Sequence, residues 1–405
     1  MSSLFERLQA ELTAGNIEAA EGTTAALDQA GDHEGAAVGT LVIARRRHDA
    51  GALRRISAGP AGELLRRDPE RHLLLARTLR YTLGLAAAAP EFEALCARPE
   101  NPQSHRALEH ACAMARLARL GHPPQALEIH GVAEAPLEIQ QGLATIKASL
   151  NGAAPQYFIL DTGAPSSILN RAYCERAGLP RPTEAGRTAY DAAGNAFTLT
   201  PARVDRLSFG GLVIRNWLVE VANLYHNFQV AGVLSACDTF QGHAFELDFQ
   251  RHVLRVATGA AEAGSRPSHP VNLAWDGGKC FVRASLNRVT RGWFLLDSGA
   301  AGILVTPALA RVACPDRQDW ESISSPVAAG RMEVFKGFQG ILSVEGNDET
   351  ESELTIAELR PDPDELLPLE SQGVLGVPWM QGHRLFFPAS RQQVLVSSGN
   401  PEAGI

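Results

Sequence analysis

The sequence predicts a multidomain chain: N-terminal all-α helical hairpins, followed by two all-β lobes that repeat one another about a pseudo-twofold axis. Three observations predict it. Residues 1 to about 130 are rich in Ala, Leu, Arg and Glu, with apolar positions at helical spacing and almost no β-branched runs. From about residue 135, short apolar and alternating runs appear instead, punctuated by Gly, Pro, Asn and Asp every 8 to 12 residues. That second texture then occurs twice. FILDTGAPSSIL (158–169) returns as FLLDSGAAGILV (294–305), which places Asp297 136 positions after Asp161.

Length and composition set the frame. A chain of 405 residues has room for two or three cores, and 45% hydrophobic with 20% charged residues is ordinary for a globular protein. A net charge of −8 argues against a surface built to neutralise nucleic-acid phosphates or to lie on an anionic membrane. The start, MSSLFERLQAELTAGNIEAA, lacks a basic segment followed by an apolar one, and about 18 apolar residues never run uninterrupted. A soluble cytoplasmic protein is expected, with neither nucleic acid nor membrane as partner. The six cysteines (96, 112, 174, 237, 280, 314) lie far apart without a CxxC pair, so reduced, mostly buried thiols are expected, and no metal or cofactor.

In the first 134 residues, Phe5, Leu8 and Leu12 mark one apolar helix face, and Leu73, Leu74, Ala76, Leu79 and Leu83 include another. Helix breaks at Gly15-Asn16, His48-Asp49, Gly84 and Gly121 recur every 33 to 37 residues. This spacing, and an Ala five positions after Gly15, resemble tetratricopeptide repeats, without their aromatic signature positions. Such a stack offers a groove for a peptide or protein partner, or serves only as a helical cap; both readings stand.

Residues 135–258 form the first predicted lobe and 270–405 the second, joined by the small, Pro-containing linker ATGAAEAGSRPSHP (257–270). IKASLNGAAPQYFILDTGA (146–164) aligns without a gap on VRASLNRVTRGWFLLDSGA (282–300). The same offset carries Ala192-Ala193-Gly194 onto Ala328-Ala329-Gly330, and Gln241-Gly242-His243 answers Gln381-Gly382-His383 with a small slip. Three blocks repeated in one order indicate internal duplication. One segment breaks it. Where the first copy has LSFGGLVIRNWLVEV, the second has the acidic stretch 345–370, expected as a solvated loop, with an acidic rim that favours basic substrates as the other reading.

Each copy delivers a carboxylate from an apolar strand onto a glycine turn. Two carboxylates sharing one water cannot both ionise comfortably, so the pair holds one proton. The ionised partner can then take a proton from water while the protonated partner donates to the developing oxyanion, with no metal or cofactor. Gly163 and Gly299 allow a sharp turn and close approach, while Thr162 and Ser298 supply hydroxyls that can bond across the axis. The pair titrates as a unit, so neither acid nor base is assignable from sequence.

These motifs resemble the aspartic proteases of the retropepsin and pepsin type over residues 136 to 400. ILDTGAPSS is close to the retropepsin active-site motif, and LLDSGA matches it with Ser for Thr. Val374-Leu375-Gly376 fits the family's apolar-apolar-Gly element; Val233-Leu234-Ser235 has Ser where Gly is usual. The resemblance implies two retropepsin-like lobes in one chain, with Asp161 and Asp297 as catalytic pair and Thr162, Gly163, Ser298 and Gly299 as their support. It also implies flap hairpins around Ala193, Gly194, Ala329 and Gly330 that close on a polypeptide substrate. With Ala164 and Ala300 after the glycines, no side-chain hydroxyl stabilises the carboxylates there, so activity is expected at mildly acidic to neutral pH. The alternative is a catalytically inactive peptide-binding scaffold.

Overall fold

The computed structural model describes residues 3–99, 105–121, 123–129, 131–179, 186–224, 229–258, 269–315, 321–344, 349–363 and 365–398. Helices come first: α1 (Leu4–Thr13), α2 (Ile17–Gln29), α3 (His33–Arg46), α4 (Ala50–Ala58), α5 (Pro60–Leu65), α6 (Pro69–Leu83), α7 (Leu85–Cys96) and α8 (His105–Leu120). Local chemistry sets their starts. Ser3 and Glu6 form a reciprocal capping box on α1, and the carboxylates of Asp32, Asp49 and Asp68 accept first-turn amides of α3, α4 and α6. The breaks expected at Gly15, His48-Asp49 and Gly84 fall between helices, and Gly121 follows α8. One apolar core, with Leu8, Leu12, Leu41, Leu75, Phe92 and Ala111 fully buried, holds the helices together. No helix among the described residues is long and apolar enough to cross a membrane.

The expectation of six reduced thiols is corrected here. Cys96 at the end of α7 and Cys112 in α8 form a disulfide, with Cα atoms 4.8 Å apart. Sixteen residues separate them, a spacing without any pairing signal; it is the packing of α7 along α8 that sets them side by side. Cys174, Cys237, Cys280 and Cys314 are not disulfide-bonded.

The first lobe contains β1 (Ala126–Glu128), β2 (Val132–Pro136), β3 (Glu138–Gln140), β4 (Leu143–Leu150), β5 (Gln156–Asp161), β6 (Ile168–Asn170), α9 (Arg171–Arg176), β7 (Arg187–Tyr190), β8 (Ala196–Phe209), β9 (Leu212–Ala222), β10 (Gly232–Ser235), α10 (Ala236–Thr239), β11 (Ala244–Asp248) and β12 (Val253–Ala257). The second contains β13 (His269–Val271), β14 (Leu273–Asp276), β15 (Lys279–Leu286), β16 (Thr290–Leu296), β17 (Ile303–Val305), α11 (Pro307–Ala313), β18 (Ser322–Val327), β19 (Gly330–Val344), β20 (Glu349–Ala357), β21 (Ser371–Leu375), α12 (Val377–Met380), β22 (His383–Phe387) and β23 (Val394–Ser398). Strands thus begin at Ala126, ahead of the expected boundary at 135, because β1 pairs with β9 and β2 with β12. Most of the expected linker, residues 259–268, lies outside the described residues.

Both lobes close by the same pairings. In the first, β4, β5, β10, β6, β9 and β8 pair in that order and β8 returns to β4. In the second, β15, β16, β21, β17, β20 and β19 do the same. Each lobe is a closed six-stranded barrel. A third sheet spans both, in the order β13-β23-β22-β11-β12-β2, with the second lobe's strands on one side and the first lobe's on the other. One continuous apolar core runs through all of this, including Phe158, Trp217, Phe245, Phe294, Trp379 and Phe387.

Residues 345–348 and 364 of the acidic stretch 345–370 lie outside the described residues; the rest of it is not a solvated loop. Its residues 349–357 are β20, the second barrel's counterpart of β9, with Glu349, Glu351 and Glu353 outward and Leu354 and Ile356 inward. Its later part is a clasp on the helical domain. Arg77 pairs with Asp362 at 3.0 Å and Glu365 at 2.7 Å, Arg45 bonds Glu365, and the Arg46 guanidinium donates to the Leu367 carbonyl at 2.8 Å. Leu367 packs into the helical core. Asp276 of the second lobe completes the network, 3.1 Å from Arg45 and 2.5 Å from Arg46. A run of like charges stays in water only when no opposite charge is buried against it; three arginines are.

Candidate active site

Two strand ends carry the site. In the first lobe β5 runs between β4 and β10 and ends at Asp161; its residues Phe158 and Leu160 are fully buried. In the second, β16 runs between β15 and β21, with Phe294 and Leu296 fully buried, and Asp297 follows its last residue. Such strands give the turns a rigid base.

Thr162 and Ser298 lock the turns together. The Thr162 amide donates to Ser298 Oγ at 3.0 Å, and the Ser298 amide donates to Thr162 Oγ1 at 3.0 Å. Each hydroxyl in turn donates to a carbonyl of the other lobe, Thr162 to Leu296 at 2.9 Å and Ser298 to Leu160 at 2.6 Å. Both side chains are wholly buried, so these four bonds form in a low dielectric, where losing one is costly.

Glycine permits the approach that follows. A Cβ on Gly163 would lie 2.6 Å from Asp297 Cγ, and one on Gly299 the same distance from Asp161 Cγ. Each carboxyl therefore rests on the opposite turn. Asp161 Oδ1 accepts the amides of Gly163 at 2.7 Å and Ala164 at 2.8 Å; Asp297 Oδ1 accepts only that of Gly299, at 2.8 Å. The Ala300 amide turns instead to the Asp297 backbone carbonyl. Burial raises the Asp161 carboxyl above its ordinary value, moderated by its bonds from Asp297 and the two amides. Asp297 is pushed well above, by burial first and then by the charge and hydrogen bond of Asp161. Asp161 thus accepts one backbone amide more than Asp297 does.

Residues 146–236 match the aspartyl protease family. The match takes in Asp161 and the first hairpin but stops short of Asp297. No curated protein matches the chain significantly. Among solved structures, the aspartic proteinase from Irpex lacteus is similar over 66% of this chain and 98% of its own, at 9% sequence identity and a TM-score of 0.41.

The stretch DTGAPSS also has its serines employed. Ser166 Oγ donates to Glu220 at 2.7 Å, and Arg187 at the root of β7 clamps the same carboxylate with two 3.0 Å bonds, all buried. Ser167 Oγ accepts the Ser235 amide at 3.0 Å. Ser235, where the family has Gly, is fully buried, and its hydroxyl donates to the Ala164 carbonyl at 2.6 Å. In the second lobe Gly376 remains necessary, since a Cβ there would lie 2.2 Å from the Gly302 carbonyl oxygen.

The predicted flap residues lie at hairpin tips. Ala193 and Gly194 are in the β7–β8 turn, Gly194 at φ +81°, where glycine is favoured; Ala329 is in the β18–β19 turn and Gly330 opens β19. The tips touch. Asp191 Oδ1 accepts the amides of Ala193 and Asn195 within its own turn, while Oδ2 accepts the Ala329 amide at 3.1 Å across the gap. Asn195 Nδ2 donates to the Arg331 carbonyl at 3.4 Å. Neither Asp191 nor Asn195 was expected; DAAGN gives a turn signal but nothing about the opposite tip. A cavity of about 710 Å3 borders both tips, lined by Ala193, Asn195, Met332, Phe335, Ile356 and Arg360 among others, and neither aspartate lines it.

Proposed function

We propose that the protein is an aspartic endopeptidase in which Asp161 and Asp297 activate a water against a peptide bond. The observation that carries this reading is the mutual placement of the two carboxyls, each seated on the other lobe's glycine turn. Asp161, with two backbone amides on one oxygen, takes the proton from water as the water oxygen bonds to the amide carbon. Asp297 gives its proton to the carbonyl oxygen. As the resulting tetrahedral species collapses, the C–N bond breaks, the proton held by Asp161 passes to the leaving nitrogen and one hydroxyl of the species returns its proton to Asp297; the products are a carboxylic acid and an amine, and the pair is back in its starting state. An extended polypeptide would lie as a strand across both lobes beneath the two hairpins.

The test is hydrolysis of unfolded casein from about pH 2 to 8 by the wild-type chain, Asp161→Asn and Asp297→Asn. Each substitution is expected to lower the rate about 10²–10⁴-fold or more, the usual weight of a proton-transferring group. Because both carboxyls are raised, the pH–rate profile is expected to peak at mildly acidic to neutral pH. Turnover that survives either substitution, or a peak near pH 2, overturns the mechanism; a wild-type chain that binds unfolded peptide without cutting it favours the scaffold reading.

A further inference from the structure

The first hairpin, β7–β8, is held from three directions, and only one of them is the opposite tip. At its far end, the Ala192 carbonyl accepts the Arg360 amide at 3.1 Å, so the tip is tied to the segment that leads into the clasp. At its root, Glu109 of α8 reaches across from the helical domain: Oε1 accepts both the amide and the hydroxyl of Thr188, at 2.8 and 3.2 Å. The turn of α8 that carries Glu109 is itself braced. Cys112, three residues on and so on the same face, is bonded to Cys96 of α7. At the end of α8, the Leu120 carbonyl accepts from Arg203 of β8 at 3.4 Å.

From this we infer that Glu109 is a positioning residue for the proposed reaction: the helical domain, through its carboxylate, sets the resting position of the first hairpin over the substrate strand. The inference rests on the hydrolytic reading above. A hairpin anchored at its root closes on a bound strand with less lost entropy than a free one, so the anchor works on substrate binding and leaves the carboxyl pair untouched. Partner binding on the helical domain that shifts α8 would then be felt at the hairpin.

Glu109→Ala removes the acceptor, whereas Glu109→Gln retains a carbonyl oxygen in the same place. In the full chain, Glu109→Ala is expected to speed amide hydrogen exchange in residues 187–197 at least tenfold, leaving α6 and the second lobe unchanged, and Glu109→Gln to restore wild-type exchange. With casein, KM is expected to rise about 3- to 10-fold for the Ala variant while kcat stays within twofold. Unchanged exchange in the hairpin, a rise spread equally through the helical domain, or a Gln variant as fast as Ala overturns the inference. If the wild-type chain cleaves nothing, the hydrolytic reading falls alone, and the exchange contrast still decides whether Glu109 anchors the hairpin.

Discussion

Thr162 and Ser298 each do two things at once, donating to a carbonyl and accepting an amide across the lobe boundary. Thr162→Val keeps the shape of the side chain and strands the Ser298 amide and the Leu296 carbonyl in a dry site, at about 1–3 kcal/mol for each unpaired group. The expected result is a loss of about 2–4 kcal/mol in urea-induced unfolding, together with a fall in activity. This pair was legible in the sequence because duplication printed it twice, at Asp161-Thr162-Gly163 and Asp297-Ser298-Gly299. Contacts present in one copy only were not. Glu220 lies 33 residues from Arg187 and 54 from Ser166, and none of the three has a counterpart in the second lobe to draw attention to it. The extra amide bond on Asp161 was equally hidden, since it depends on the direction of the Ala300 amide and both motifs read Asp-x-Gly-Ala.

At the scale of elements, barrels and hairpins were legible because strands alternate and turns carry Gly and Asn. The clasp was not. Outward-facing glutamates gave β20 the texture of a loop, and the partners of Asp362 and Glu365 stand 285 and 320 positions away, on helices. The clasp is also where a single change should act most strongly. Asp276→Ala leaves the Arg45 and Arg46 guanidiniums, both nearly buried, facing each other without their shared carboxylate, and takes the acceptor from the Leu369 amide. Breaking a buried pair in this way costs about 3–5 kcal/mol. Equilibrium unfolding should register that loss, and limited proteolysis should cut between the helical domain and the lobes in the variant at a protease concentration that spares the wild type.

For the whole molecule, acid stability and activity are governed by carboxyls moved in opposite directions. Burial raises Glu91 in α7, but its bonds from Arg66 and His72 outweigh this and lower it from 4.5 to about 2. Asp276 and Glu220 follow the same pattern, burial opposed and overcome by their arginines. Groups depressed on folding contribute stability that is complete above their unfolded values and is lost as pH falls toward the folded ones. The melting temperature is therefore expected to be level from about pH 5 to 8 and to drop below about pH 4, a range in which calorimetry can follow it. The proposed reaction, whose carboxyls are raised, would run where the scaffold is intact.

The sheet that spans the lobes has a consequence of another kind. Its order, β13-β23-β22 against β11-β12-β2, is the pattern two identical subunits make when each lends three strands to a common seam. In a true homodimer every substitution is made twice, and a change that improves one side is imposed on the other. Here one peptide chain holds both sides, and they differ: Ser235 stands where the second lobe has Gly376, the clasp grows from the second barrel, and Glu109 grips the first hairpin. Covalent fusion has turned a mirror into a division of labour.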